Sequence, residues 1–201
     1  MIAIIDYGMG NLRSVQKAFE YLGYDAQITN NTEIMDSASH IVLPGVGAFG
    51  DAMASLNRLG FPATLKDQVK KGKPFLGICL GMQLLFDKSY EHGEFEGLGI
   101  VPGEVVKFEL PKEYKVPHMG WNKLDVKRGA IFDAQKQNQF VYFVHSFYCA
   151  PNNNDSIAAT ASYGIDFCAA IVQDNVFATQ FHPEKSGDIG LDMLRKFGEL
   201  K

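Results

Sequence analysis

The segment Gly77-Ile78-Cys79-Leu80-Gly81 has the clearest chemical consequence in the chain. The apolar run 74–78 passes directly into the helical pattern of 80–86, and the cysteine stands at the junction. A turn that tight between strand and helix lifts its central side chain to the edge of the sheet. Side chains at the flanking positions would collide with neighbouring backbone, so glycine is needed on both sides. The N-terminus of the following helix points at the sulfur and favours the thiolate. The next backbone N–H, from Leu80, is placed to donate to an oxyanion. Cys79 therefore reads as a nucleophile. Cys149 and Cys168 lie in apolar runs without such a turn and read as buried structural cysteines.

A thiolate nucleophile requires a proton shuttle. Among five histidines, His182 stands apart, because Phe181-His182-Pro183-Glu184 closes the apolar run 176–181. Proline fixes the backbone between His182 and Glu184, a spacing that lets the carboxylate orient the imidazole. His-Pro-Glu alone is a weak motif and fits a solvated turn. Its specificity comes from its coexistence with the cysteine turn.

These residues need a scaffold, and the hydrophobic pattern supplies one. Residues 2–6 form a short apolar run ended by Gly8-Met9-Gly10, which predicts a buried strand and a loop. Val15, Ala18, Phe19 and Leu22 recur at helical spacing, with Gly23 at the C-cap position. Strands are expected over 24–29, 40–43 and 74–78, and helices over 51–59, 62–71 and 80–86, with Pro62 at a helix start. That alternation describes a mostly parallel sheet with helices on both faces. The second half is β-rich, with strand-like runs at 103–109, 122–126, 139–145, 157–162, 167–173 and 176–181 and a turn at 151–155. A helix over 189–200 closes the chain. The expected fold is a single α/β domain over residues 1–201.

Composition excludes several function classes. A chain of 201 residues, 46% hydrophobic and 21% charged, is neither disordered nor membrane-spanning in character. A net charge of −4 with dispersed Lys and Arg leaves no footprint for nucleic acid. Three cysteines make no disulfide framework and suit a reducing compartment. The first residues carry no basic segment and no signal-length apolar run, and no stretch is long enough to span a bilayer. A soluble, cytoplasmic protein is expected, and the sequons at Asn30 and Asn154 are chance matches. No Cys or His spacing suggests a metal. Gly8-x-Gly10 invites a dinucleotide reading, but the third glycine of that fingerprint would fall at Arg13, so no cofactor is expected.

Gly77-Ile-Cys-Leu-Gly-Met-Gln83 with His182-Pro-Glu184 resembles the class I (triad) glutamine amidotransferases, in the expected order along the whole chain. The resemblance implies a flavodoxin-like fold. It makes Cys79 the nucleophile, His182 the acid/base and Glu184 the orienting carboxylate. It places Gln83 and Glu91 on the glutamine substrate, and His145-Ser146-Phe147 along the backbone edge where glutamine lies. Within that family, the opening Ile5-Asp-Tyr-Gly-Met-Gly-Asn-Leu-Arg-Ser14 is similar to the glutaminase subunits of imidazole glycerol phosphate synthase. So are the loop from Leu43 to Phe49, His118-Met-Gly-Trp-Asn122 and His182-Pro-Glu-Lys-Ser186. This implies a heterodimer with a barrel-shaped cyclase subunit that receives ammonia in histidine biosynthesis. Leu80 supplies one oxyanion donor, and Val46 and Gly47 of the loop Pro44-Gly45-Val46-Gly47 supply the second. Glycines on both sides of Val46 permit a peptide flip that a loaded partner would trigger. Asn11, Trp121 and Lys185 are expected at the partner interface, although core packing suits a lone tryptophan equally. The competing readings are another class I glutaminase, such as that of pyridoxal phosphate or anthranilate synthase, a free-standing cysteine hydrolase, or a binding module.

Overall fold

A computed structural model of the chain describes every residue except 134, 136 and 137. The first half alternates: β1 (Ile2–Ile5), α1 (Leu12–Tyr21), β2 (Ala26–Thr29), α2 (Thr32–Ser37), β3 (His40–Gly45), α3 (Phe49–Arg58), α4 (Phe61–Lys70), β4 (Phe75–Cys79) and α5 (Leu80–Leu84). Then come β5 (Phe86–Ser89), β6 (Phe95–Glu96), β7 (Val101–Lys107), β8 (His118–Lys123), β9 (Asp125–Val126), β10 (Phe140–His145) and β11 (Phe147–Pro151). The chain ends with β12 (Ile157–Tyr163), β13 (Ile165–Gln173), β14 (Val176–Thr179) and α6 (Gly187–Gly198).

The local causes are legible. Every residue of β1, β3 and β4 is buried, as expected of parallel strands covered on both faces. Helix α1 buries Val15, Ala18 and Phe19 at helical spacing. It stops at Gly23, whose φ of +87° suits glycine and whose N–H donates to Glu20 O at 3.0 Å. Strands run in the order β2-β1-β3-β4-β14-β13-β11-β7-β5-β6, with β12 and β9 attached through β13. The first five are parallel and β14–β13 begins an antiparallel extension. One face carries a core with Met35, Phe49, Leu56 and Leu65 from α2, α3 and α4. The other holds Val15, Phe19, Leu194 and Phe197 from α1 and α6. Strands β8 and β10 form a separate antiparallel ribbon whose Val141 and Phe143 join that second core.

The sequence reading needs correction in two places. The helix expected over 80–86 ends at Leu84, and the segment after it, which the pattern left unassigned, is partly a hairpin, with Lys88 opposite Glu96 and Ser89 opposite Phe95. The carbonyls of Leu84, Leu85 and Phe86 accept from the N–H groups of Leu98, Ile100 and Gly99 at 2.8–3.0 Å, so no further helical turn forms. Helix α2 lay unread between β2 and β3. Its N-cap is Asn31, whose side chain accepts from Glu33 N at 2.8 Å.

Register brings the chemistry together. Gly45 at the end of β3 stands opposite Cys79 at the end of β4, and Ile78 stands opposite Thr179 at the end of β14. Three consecutive sheet strands thus deliver Pro44–Gly47, Cys79–Leu80 and Gln180–Glu184 to one carboxyl edge.

Candidate active site

Cys79 has φ 56° and ψ −110°, a conformation that costs a non-glycine residue about 1–3 kcal/mol. The surroundings hold it there. A side chain on Gly81 would run into the Leu43 carbonyl of β3, and one on Gly77 would lie 2.9 Å from Gly81 O. The flanking glycines therefore let α5 press against β3 directly behind the sulfur. Helix α5 has only five residues, so it contributes free N–H groups near Cys79 but little aligned dipole.

His182 and Glu184 form a buried pair, with Nδ1 and Oε1 2.9 Å apart and side chains 2% and 1% exposed. The carboxylate accepts from Nδ1–H, which leaves Nε2 for proton transfer. Among the described residues Nε2 has no hydrogen-bond partner. Burial opposes the imidazolium, but Cys79 and then Glu184 outweigh it and push the His182 pKa up to about 9. Cys79 and His182 line the same cleft, and the sulfur is the group that most favours the imidazolium.

Both residues open on a cleft of about 180 Å³ lined by Val46, Gly47, Leu80, Gln83, Glu91 and the segment from Val144 to Phe147. Every residue expected to form the oxyanion hole or hold glutamine therefore borders one cavity. Gly47 has φ +100°, a conformation that favours glycine, and Val46 beside it is 40% exposed. The Glu91 carboxylate accepts from Phe49 N at 2.7 Å, which ties that wall of the cleft to the start of α3.

Sequence reasoning missed a buried polar chain behind this cleft. Gln83 Nε2 donates to Phe147 O at 3.1 Å and to Gln180 Oε1 at 3.0 Å. Gln180 Nε2 lies 3.8 Å from Cys79 Sγ. On the other side, His145 Nδ1 is 2.8 Å from Phe147 O, and His145 Nε2 is 3.0 Å from His118 Nδ1. A carbonyl only accepts, so His145 carries its proton on Nδ1 and accepts at Nε2 from His118 Nδ1–H. His118 Nε2 then accepts from Asn122 Nδ2 at 3.3 Å. Burial pushes His118 down to about 4 and His145 to about 3, so both rings are neutral at ordinary pH and this tautomer pattern is fixed. The sequence offers Gln180 only as an amide two residues before His182, a position that gives no signal of its partners. His118 and His145 gave none, because only the pairing of β8 with β10 sets them opposite each other.

The residues expected at a partner surface are all exposed. Asn11 and Lys185 are open to solvent, and Asn11 also lines a small recess with Val46, His182 and Glu184. Trp121 is 58% exposed, which removes the core-packing alternative. It shares the outer face of the β8–β10 ribbon with Met119, Tyr142 and Val144, and Val144 borders the cleft.

A strained cysteine at the carboxyl edge of a parallel sheet, beside a buried His–Glu pair, is an arrangement able to carry out acyl transfer through the sulfur. The family model described as glutamine amidotransferase class-I matches residues 3–199, and the chain belongs to that family. It is similar to the imidazole glycerol phosphate synthase subunit HisH of Syntrophotalea carbinolica, with 53% identity over 100% of both chains. The protein of that name from Caldanaerobacter subterraneus subsp. tengcongensis is 54% identical over 100% of this chain and 98% of the relative. Among solved structures, PurLQS from Thermotoga maritima shares the fold, with a TM-score of 0.76, 19% identity, and coverage of 98% of this chain and 96% of that one.

Proposed function

We propose that this chain is the glutaminase subunit of an imidazole glycerol phosphate synthase, hydrolysing glutamine to glutamate and passing the ammonia to a cyclase subunit. The observation that carries the chemistry is the cleft that Cys79 shares with His182, whose imidazole is paired with the buried Glu184 carboxylate. The full-length likeness to subunits of that synthase supports the particular assignment.

In this reading the Cys79 sulfur attacks the glutamine side-chain carboxamide. Leu80 N–H and an N–H of the Val46–Gly47 segment bind the oxyanion of the tetrahedral intermediate. Removing one such donor costs about 3–4 kcal/mol of transition-state stabilisation, so a misdirected loop silences turnover. The intermediate collapses to a thioester as His182 Nε2–H protonates the departing amine and ammonia leaves. The neutral imidazole then takes a proton from water, which attacks the thioester and releases glutamate. Gln83, Glu91 and the backbone of His145-Ser146-Phe147 hold the substrate.

The cyclase docks on the outer face of the β8–β10 ribbon, where Met119 and Phe140 are 62% and 46% exposed beside Trp121. Asn11 and Lys185 border that contact, and Lys185 pairs with a partner carboxylate. Ammonia then meets the phosphoribulosyl-formimino carboxamide nucleotide on the cyclase, in the cytoplasm. Glutamate release is measured for the chain alone and with a cyclase subunit plus its nucleotide ligand. The reading expects little activity alone and strong stimulation by the loaded cyclase. High activity that no cyclase alters would assign the chain to another partner or to free-standing hydrolysis.

A further inference from the structure

Gln180 has no part in the triad, yet it is fully buried and its Nε2 lies 3.8 Å from Cys79 Sγ, within reach of a sulfur hydrogen bond. An amide carries a donor on one side and an acceptor on the other, so its direction decides what the sulfur meets. Here the surroundings decide that direction. The carbonyl of Phe147 only accepts, so Gln83 must turn its NH₂ group toward it. The same NH₂ group reaches Gln180, which must then present its oxygen. What Gln180 has left for Cys79 is an N–H donor. The Phe147 carbonyl is itself held from the other side by His145 Nδ1–H. No rotation of either amide keeps these bonds and turns an oxygen to the sulfur.

A donor stabilises a thiolate and has little to offer a thiol, whose own lone pairs are weak acceptors. The donor is neutral and its partners are neutral, so it assists the anion without competing with the His182 imidazolium for its place. It also tethers the nucleophile to Gln83, a residue on the wall of the glutamine cleft. From this arrangement we infer that Gln180 is a further catalytic residue, an oriented amide donor that holds the Cys79 thiolate in line with the substrate cleft. The inference rests on the glutaminase reading of Cys79 and adds to it.

The test is the rate at which iodoacetamide alkylates Cys79 at pH 7.5, followed by peptide mass spectrometry, in the wild-type chain and in Gln180→Met and Gln180→Glu. Hydrogen bonds to charged groups are worth about 1.5–3 kcal/mol net, or roughly 10–150-fold in rate or equilibrium. Gln180→Met, which fills the space without a donor, is expected to slow alkylation about tenfold or more and to lower kcat for glutamine similarly, with KM little changed. Gln180→Glu keeps the acceptor for Gln83 but turns a carboxylate oxygen toward the sulfur, and it is expected to be slower still. Folded variants that alkylate at the wild-type rate overturn the inference, and so does a loss confined to KM. A measurement on the wild-type chain guards against variants that do not fold. With ¹⁵N-labelled glutamine side chains, alkylation of Cys79 shifts buried side-chain amide signals, and an unchanged amide spectrum also overturns the inference. If instead the wild-type chain hydrolyses no glutamine with a loaded cyclase, while the alkylation differences persist, the glutaminase reading fails and the role of Gln180 toward the sulfur stands.

Discussion

In the proposed reaction His182 meets two demands that conflict at one proton. It must carry a proton to release ammonia and must be free of that proton to activate water. A pKa raised to about 9 leaves it loaded at neutral pH, and the departing amine unloads it before the water step. Glutaminase kcat/KM of the assembled enzyme should therefore fall as pH rises through about 9, since that profile reports the unliganded site. Glu184→Gln removes a group that favours the imidazolium and should move that limb to lower pH while cutting kcat at least tenfold. A pH–rate profile of the two enzymes checks this, and a limb that stays in place would remove Glu184 from the titration. The glycines are a second residue-scale case. Gly81→Ala would press a methyl group into the Leu43 carbonyl, so it should destabilise by about 1–3 kcal/mol in urea melts and displace Cys79. Cys79, His182 and Glu184 were legible from type and spacing because a strained turn needs glycines and a two-residue spacing needs only a rigid link. Gln180 was not legible, since a buried amide acquires its meaning from groups 97 and 101 positions away.

At the scale of elements, three parallel strands do the positioning and a two-stranded ribbon presents the surface. The all-apolar strands declared themselves, because a strand buried on both faces reads as a continuous run. Helix α5 was over-extended by reading, since Leu84, Leu85 and Phe86 continue an apolar pattern that suits helix and strand alike. Tertiary hydrogen bonds to Leu98, Gly99 and Ile100 decided it. The hairpin that follows, which the pattern left unassigned, carries Glu91 into the cleft wall. On the ribbon, Trp121 is opposite Tyr142, the rings meeting edge to face at 6.3 Å, and both belong to the proposed cyclase contact. Trp121→Ala should weaken association with the cyclase by about 2 kcal/mol or more, roughly thirtyfold in Kd, without changing the stability of the isolated chain. Titration calorimetry reads the affinity directly, and an unchanged Kd would move the interface off the ribbon.

Over the whole molecule, the buried histidines bracket the pH range in which the fold is firmest. His182 has a folded pKa of about 9 against an ordinary value of 6.5, so its contribution is complete below 6.5 and lost as pH rises toward 9. His118 and His145 are held down to about 4 and 3, so the unfolded chain takes up their protons first and stability falls as pH drops below 6.5. Urea midpoints should peak near pH 6.5 and decline on both sides, and a midpoint still rising at pH 8.5 would contradict this. The division into a parallel half and a β-rich half was legible from the pattern, while the order in which the late strands join the sheet was not, because pairing across the chain leaves no local mark. The whole assembly is where the proposed function is decided. The most direct measurement is cyclase product formation by a complex carrying Cys79→Ala, supplied with glutamine or with an ammonium salt. A thioester glutaminase that feeds a separate cyclase gives no product from glutamine and a wild-type rate from ammonium. Product formed from glutamine by that variant would remove Cys79 from the reaction.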